Sequence, residues 1–337
     1  MKKIIFMGTP DFSVGTLKAL LDSEYEVQAV FTQPDKPKGR GKALQMTPVK
    51  AVALEAGVPV YQPRRIREPE NLEILRKYQP DAIVVVAFGQ IIPREILELP
   101  PYGCINVHAS LLPKYRGAAP IQWAVIDGEK ESGVTTMQMD TGLDTGDMLL
   151  KAVVPIEEQE TGGSLFEKLS RTGAELLLKT LRGLEAGTIR PEKQPQESPT
   201  PYAAMLDKKM GQIDWEKPAR EIECLIRGLN PWPSAYTFYE GKTLKLWSAS
   251  VEPDCQTAAE PHGRGSQENG AERGSQAGDA AVLEPGTIVE VTKKTLKIQT
   301  GEGALAVREL QLEGKKRMET DAFLRGCSLK TGEKFGI

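Results

Sequence analysis

Short apolar runs alternate with amphipathic stretches over the first half of the chain. Ile4 to Met7, Val27 to Thr32, Val58 to Tyr61, Ala82 to Phe88 and Cys104 to Val107 read as strands. The run from Ala82 is continuous rather than alternating, the pattern of a parallel strand whose two faces are both covered. Between these runs, Val14, Leu17, Ala19, Leu20 and Leu21 keep a helical period, as do Leu72, Ile74 and Leu75 ahead of Tyr78. Strand-helix-strand units of this kind predict an α/β fold, an open, doubly wound, Rossmann-like parallel sheet. Val134 to Met139 and Met148 to Ile156 add a strand pair around the turn-rich 141–146. Leucines from Leu165 to Leu184 mark a long closing helix.

After Gly187 the pattern lapses into Pro191, Pro195, Ser198, Pro199, Thr200 and Pro201, which reads as an extended linker. The expected organisation is a sheet domain over 1–189, a linker over 190–205 and a second domain over 206–337. The second domain opens with a helix, Ala219 to Leu229, stopped by Asn230-Pro231-Trp232-Pro233. Five β-type runs follow, Ala235 to Tyr239, Thr243 to Ser248, Gly286 to Val291, Thr295 to Thr300 and Leu305 to Leu312. By count they suggest a small OB-like β-barrel, with a sandwich as the other option. A polar, low-complexity insert at about 253–283, with Arg-Gly-Ser-Gln at 264–267 and again at 273–276, lacks the apolar surface to fold alone. It reads as a tolerated loop insertion rather than an arm for a partner.

A length of 337 residues suits two domains. With 43 basic and 46 acidic residues the net charge is -3, which excludes a uniformly basic nucleic-acid coat and leaves any polyanion to be met locally. The first-domain segment 34–50 is such a place: Lys36, Lys38, Arg40, Lys42 and Lys50 against Asp35 alone leave a local +4. No apolar run approaches the roughly 18 residues of a membrane span, and the start lacks a signal-peptide core. Cys104, Cys224, Cys255 and Cys327 form no C-x-x-C pair, so reduced thiols and no metal site are expected. A cytoplasmic protein follows from these points.

The first apolar run ends in Gly8-Thr9-Pro10-Asp11-Phe12, with the next glycine only at Gly15. That spacing provides no pyrophosphate cradle, so an NAD-dependent dehydrogenase is disfavoured. The sharper feature is Cys104 to Pro113. On a strand, Asn106 and His108 share one face and Ile105 and Val107 the other, and the carboxyl end of such a strand is where ligands sit in open α/β sheets. The other histidine, His262, falls in the insert, so imidazole chemistry is left to His108. Asp140-Thr141-Gly142-Leu143-Asp144-Thr145-Gly146 forms a tight loop that can aim a carboxylate at the sheet end. An Asn, a His and an Asp at one sheet edge make a plausible acid-base and oxyanion group.

These motifs, Asn106 to Pro113, Lys114-Tyr115-Arg116-Gly117-Ala118-Ala119-Pro120-Ile121, Met137 to Asp140 and Gly142 to Asp147, resemble those of the folate-dependent formyltransferases. The resemblance spans nearly the whole chain and includes Gly8 to Phe12, Gln33 to Lys42 and Asn230 to Pro233. It implies that 10-formyltetrahydrofolate donates its formyl group to the α-amino group of methionyl initiator tRNA. By the same resemblance Asn106, His108 and Asp144 are catalytic. Ser110, Leu111, Leu112 and Pro113, with Phe88, Gly89, Ile91 and Asp140, contact folate, and Lys36, Lys38, Arg40 and Lys42 contact tRNA. The second domain would hold RNA, with Lys242, Lys245, Lys293, Lys294, Lys297, Lys315, Lys316 and Arg317 available for phosphates. A monomer without a metal is expected. Two other readings stay open: a formyltransferase for a small amine such as a nucleotide amino sugar, and an inactive RNA-binding relative.

Overall fold

The computed structural model describes residues 1–38, 43–252 and 283–336. The expected tRNA contacts Arg40 and Lys42, the polar insert, Cys255 and His262 lie outside the described residues. Two compact units are present: Met1–Val125 with Glu129–Leu206, and Ile126–Gly128 with Asp207–Ile337.

In the first unit the strands are β1 (Lys3–Gly8), β2 (Glu26–Phe31), β3 (Lys36–Lys38), β4 (Ala43–Gln45), β5 (Val60–Tyr61), β6 (Ala82–Val86), β7 (Cys104–His108), β8 (Glu131–Gln138) and β9 (Met148–Pro155). The helices are α1 (Asp11–Leu21), α2 (Pro48–Glu55), α3 (Pro69–Tyr78), α4 (Arg94–Leu97), α5 (Pro120–Ile126) and α6 (Gly162–Glu185). Seven strands pair in the order β5-β2-β1-β6-β7-β8-β9. Neighbours from β5 to β7 are parallel, while β7–β8 and β8–β9 are antiparallel.

Alternate residues of the central strands feed two cores, which is why their sequences are apolar throughout. Ile4, Phe6, Val84, Val86, Ile105 and Val107 pack with Leu17 and Leu20 of α1 and Leu165, Leu169 and Leu177 of α6. Ile5, Met7, Ile83 and Val85 take the other face with Leu75 of α3 and Ile96 of α4. Gly8 ends β1 where a Cβ would lie 2.7 Å from the Phe6 ring and 2.9 Å from Ser13 Cβ, so this glycine serves close strand-helix packing. The chain passes from β1 to β2 on one side, and β6 lies on the other. The carboxyl ends of β1 and β6 therefore flank a topological switch point, where such sheets bind ligands.

Residues 190–205, expected as a linker, run against this first unit. Glu192 bridges Met148, and Ala203 bridges Gly117. Within the described part of 34–50, β3 and β4 pair antiparallel, and Thr47 caps α2 by accepting from Lys50 N at 3.2 Å.

The second unit holds α7 (Ala219–Gly228), β10 (Ala235–Tyr239), β11 (Lys242–Glu252), β12 (Ile288–Val291), β13 (Leu296–Gln299), β14 (Ala304–Leu312), β15 (Met318–Glu319) and α8 (Thr320–Leu324). The sheet runs β10-β11-β14-β13-β12, with β15 on β14, around a core of Trp215, Leu244, Leu246, Ile298, Leu310 and Phe335. The five expected strands are all present. Among the described residues the sheet is an antiparallel path, with no pairing that joins β12 to β10.

Candidate active site at the end of the parallel sheet

A cavity of about 670 Å³ opens at the switch point, within the roughly 300–1,000 Å³ usual for small-molecule sites. Asn106 and His108 reach it from β7, Asp144 from the loop after β8, and Phe88 to Ile92 from the turn after β6. The alternation read from the sequence thus places Asn106 and His108 together, and the loop adds the carboxylate.

His108 is 6% exposed and its Nε2 lies 3.0 Å from the Tyr115 carbonyl oxygen. A carbonyl only accepts, so Nε2 carries the proton of that bond. The other ring nitrogen, Nδ1, faces Asp144 Oδ1 at 3.6 Å. Asp144 Oδ2 is already engaged, accepting from Gly117 N at 2.9 Å. Nδ1 and the Asp144 carboxylate therefore face one another at the cavity wall. Asn106 differs from both neighbours. It is 9% exposed, and among the described residues its side-chain amide has no hydrogen-bond partner. A buried amide left uncommitted on a cavity wall can donate to whatever oxygen the cavity receives. Cys104, two residues before it, is no rival nucleophile, because burial pushes its thiol up to about 12.

The local sequence explains how these groups are held. Asp144 has φ +55, a left-handed conformation that Asp tolerates better than most side chains. Asp140 closes the same loop, its Oδ1 accepting from Gly142 N at 3.0 Å and Thr145 Oγ1 at 2.8 Å. The loop after β6 turns at Ala87 (φ +46) and Gly89 (φ +78). It is tethered by Thr9 Oγ1, which donates to Phe88 O at 3.0 Å, and Gln33 Nε2, which donates to Gly89 O at 3.0 Å. The Phe88 ring is buried in the core behind the cavity. Gly89, Ile91 and Asp140 line the cavity, and Ile91, Leu143, Tyr202 and Met205 form an apolar rim, each more than half exposed.

Ser110, Leu111, Leu112 and Pro113 do not line the cavity. Their turn is occupied instead with holding the chain beyond β7. Thr135 Oγ1 donates to Ser110 O at 2.7 Å and accepts from Leu112 N at 3.1 Å, while Ser110 Oγ donates to Lys114 O at 2.6 Å. Leu112 packs on Met137 and Met148. A further hollow of about 750 Å³ lies beside Arg94, Tyr102, Gln138 and Asp140 and contains none of the three polar groups.

Lys36 and Lys38 sit on the β3–β4 hairpin, but Lys50 is not a free charge. It donates to Asp35 Oδ2 at 2.6 Å and to Gln62 Oε1 at 2.7 Å, and Gln62 Nε2 donates to Asp35 Oδ1 at 2.7 Å. The Lys50 hydrogen bond, followed by that of Gln62, lowers the Asp35 carboxyl below the ordinary aspartate range. A residue that the sequence pattern missed is Gln194, which binds the active-site loop from a position with no periodic or motif signal; Arg116, inside the 114–121 motif, in turn donates to Gln194 Oε1. Gln194 Nε2 donates to the carbonyls of Asp144 (2.9 Å) and Gly146 (2.7 Å).

An uncommitted amide beside an imidazole-carboxylate pair, at the switch point of an open α/β sheet, is an arrangement suited to group transfer. Comparison with known proteins specifies the group. The family model described as formyl transferase matches residues 1–181, and that for the formyl transferase C-terminal domain matches 205–328. A protein of Agathobacter rectalis named methionyl-tRNA formyltransferase is 55% identical over 99% of this chain and 100% of its own length. One of the same name from Clostridium novyi is 51% identical over 97% and 98%. Among solved structures, the N-formyltransferase from Helicobacter canadensis in complex with folinic acid and dTDP-3-aminofucose shares the fold at TM-score 0.62 and 19% identity, covering 91% of this chain and 99% of its own. The chain belongs to the formyltransferase family.

Proposed function

We propose that this protein transfers the formyl group of 10-formyltetrahydrofolate to the α-amino group of methionyl initiator tRNA, giving N-formylmethionyl-tRNA for translation initiation. The single observation that carries the chemistry is the uncommitted Asn106 amide beside the His108–Asp144 pair, whose ring nitrogen and carboxylate oxygen are 3.6 Å apart. The acceptor is supported by relatives named for it at 55% and 51% identity across nearly their whole lengths. A whole second unit does not by itself separate this acceptor from a nucleotide amino sugar. A sugar 3N-formyl transferase of similar fold, WlaRD, covers 94% of this chain at TM-score 0.61. The basic hairpin favours tRNA, since a small amine needs no Lys36, Lys38, Arg40 and Lys42.

The folate supplies a formyl carbon bonded to a nitrogen that must leave. The attacking α-amine, with a reference pKa of about 7.7 to 8.0, is partly neutral near pH 7, so no strong base is required. Asn106 donates to the formyl oxygen as the new carbon–nitrogen bond forms and negative charge grows there, a contribution of about 2.7–4 kcal/mol for one such donor. His108 presents a second donor at the edge that faces Asp144. Asp144 takes up the amine proton, directly or through water, and returns it to the leaving nitrogen as the old bond breaks. Gly89, Ile91 and Asp140 border the folate, and Ser110 to Pro113 act through the turn that sets His108. The sheet unit performs catalysis, and the second unit, read as OB-like, contributes the RNA-holding surface. The protein acts as a cytoplasmic monomer. No helix among the described residues is long and apolar enough to cross a membrane.

The test is incubation with formyl-labelled 10-formyltetrahydrofolate and methionyl initiator tRNA. N-formylmethionyl-tRNA is the expected product, and its absence with a folded enzyme would remove the reading.

A further inference from the structure

The stretch from Glu192 to Ala203 supplies none of the three reacting groups, yet it is bonded to the backbone that aims two of them. Gln194 is the centre of this arrangement. Its Nε2 spends both protons on the carbonyls of Asp144 and Gly146, at 2.9 and 2.7 Å. Its Oε1 accepts twice from Arg116, from Nε at 3.1 Å and Nη2 at 2.9 Å. Arg116 is buried, and its remaining contacts go to the carbonyls of Gln196 at 3.1 Å and Pro195 at 2.7 Å. The residue after Arg116 is Gly117, whose N–H holds Asp144 Oδ2 at 2.9 Å. Further along the same stretch, Thr200 Oγ1 accepts from Tyr115 N at 2.7 Å, and Tyr115 O is the partner of His108 Nε2.

We propose that Gln194 is a positioning residue for formyl transfer, its amide locking the left-handed Asp144 so that Oδ1 faces His108 while Oδ2 stays on Gly117. The proposal rests on the formyl-transfer reading of the site. Only a side chain with two donors and one acceptor on a single plane satisfies both carbonyls and the guanidinium at once. A glutamate keeps the Arg116 partner but turns an acceptor toward two carbonyl oxygens. A methionine fills the same volume with no polar contact to either side.

The experiment compares Gln194→Glu and Gln194→Met with the parent chain in steady-state kinetics and in NMR spectra of the histidine rings. The chain has only 2 histidines, His108 and His262, so the signals are readily assigned. Both variants are expected to lose about tenfold or more in kcat, since a displacement near 1 Å at a reacting group costs up to about 10²-fold. The KM for each substrate should stay within about twofold. The His108 ring resonances should shift in both variants while those of His262 stay, because the Asp144 carboxylate has moved relative to the ring. A parent-like kcat, or unmoved His108 resonances in either folded variant, overturns the proposal. The NMR arm needs no turnover, so failure of the parent chain to formylate methionyl-tRNA would count separately, against the function.

Discussion

Asn106 and Asp144 are held in opposite ways, and the difference predicts how each fails. The Asn106 amide is bonded to nothing in the described protein, so removing it disturbs no neighbour. Asp144 is tied at both its carboxylate, by Gly117 N at 2.9 Å, and its carbonyl, by Gln194 at 2.9 Å. Asn106→Ala should therefore lower kcat by about 10²–10³-fold, the usual loss for one oxyanion donor, with an unchanged melting temperature. Asp144→Asn should keep the Gly117 bond through its amide oxygen, lower turnover and leave folate affinity nearly unchanged; near-parent turnover would remove Asp144 from the mechanism. Steady-state assays beside thermal melts check both. The Asn106–His108 pairing was legible because strand side chains alternate with period 2. Asp144 was legible as a loop carboxylate only. Gln194 was not legible at all, nor was its bond to Arg116 of the 114–121 motif, since a hydrogen bond across some 50 or 78 residues of sequence leaves no local pattern.

Among the elements, the basic hairpin shows how a local charge is given a fixed base. Thr32 and Thr47 share a 2.8 Å hydroxyl contact, and Asp35, Lys50 and Gln62 close a network beside it. Gln62→Leu removes the neutral member of that network. It should raise the KM for methionyl-tRNA several-fold while leaving the KM for folate unchanged, and equal effects on both would contradict a tRNA role for the hairpin. The sign of the pH effect follows from Asp35, whose carboxyl the Lys50 bond holds low. A depressed pKa gives stabilisation that is fully present above the unfolded value of about 3.9 and fades as pH falls through the folded one. The hairpin base should thus resist trypsin equally from about pH 5.5 to 8. The strands were readable because both cores impose apolar runs, while the bridges that Glu192 and Ala203 make with the first unit left no such pattern. Proline-rich composition reports the lack of periodic structure, and it is silent on whether an extended chain packs against a neighbour.

For the whole molecule, a net charge of -3 conceals the segment that matters. Five cations around one acid lie within 34–50, and Lys50 is spent inside the fold, so the proposed phosphate contacts are Lys36, Lys38, Arg40 and Lys42. About four phosphate contacts imply that log kcat/KM for a tRNA acceptor falls against log salt with a slope near -3, whereas a small amine acceptor gives a slope near zero. The antiparallel sheet of the second unit was legible in its strand count, whereas closure is not a property that a sequence period can report, because it depends on pairing between chain-distant edges. One competition assay brings these scales together. Labelled 10-formyltetrahydrofolate is offered methionyl initiator tRNA, methionyl elongator tRNA and a nucleotide amino sugar in one vessel, at several salt concentrations. Label is expected on the initiator species above both others, with the steep salt slope; label on the amino sugar, or a flat slope, would rule out initiator tRNA as the acceptor.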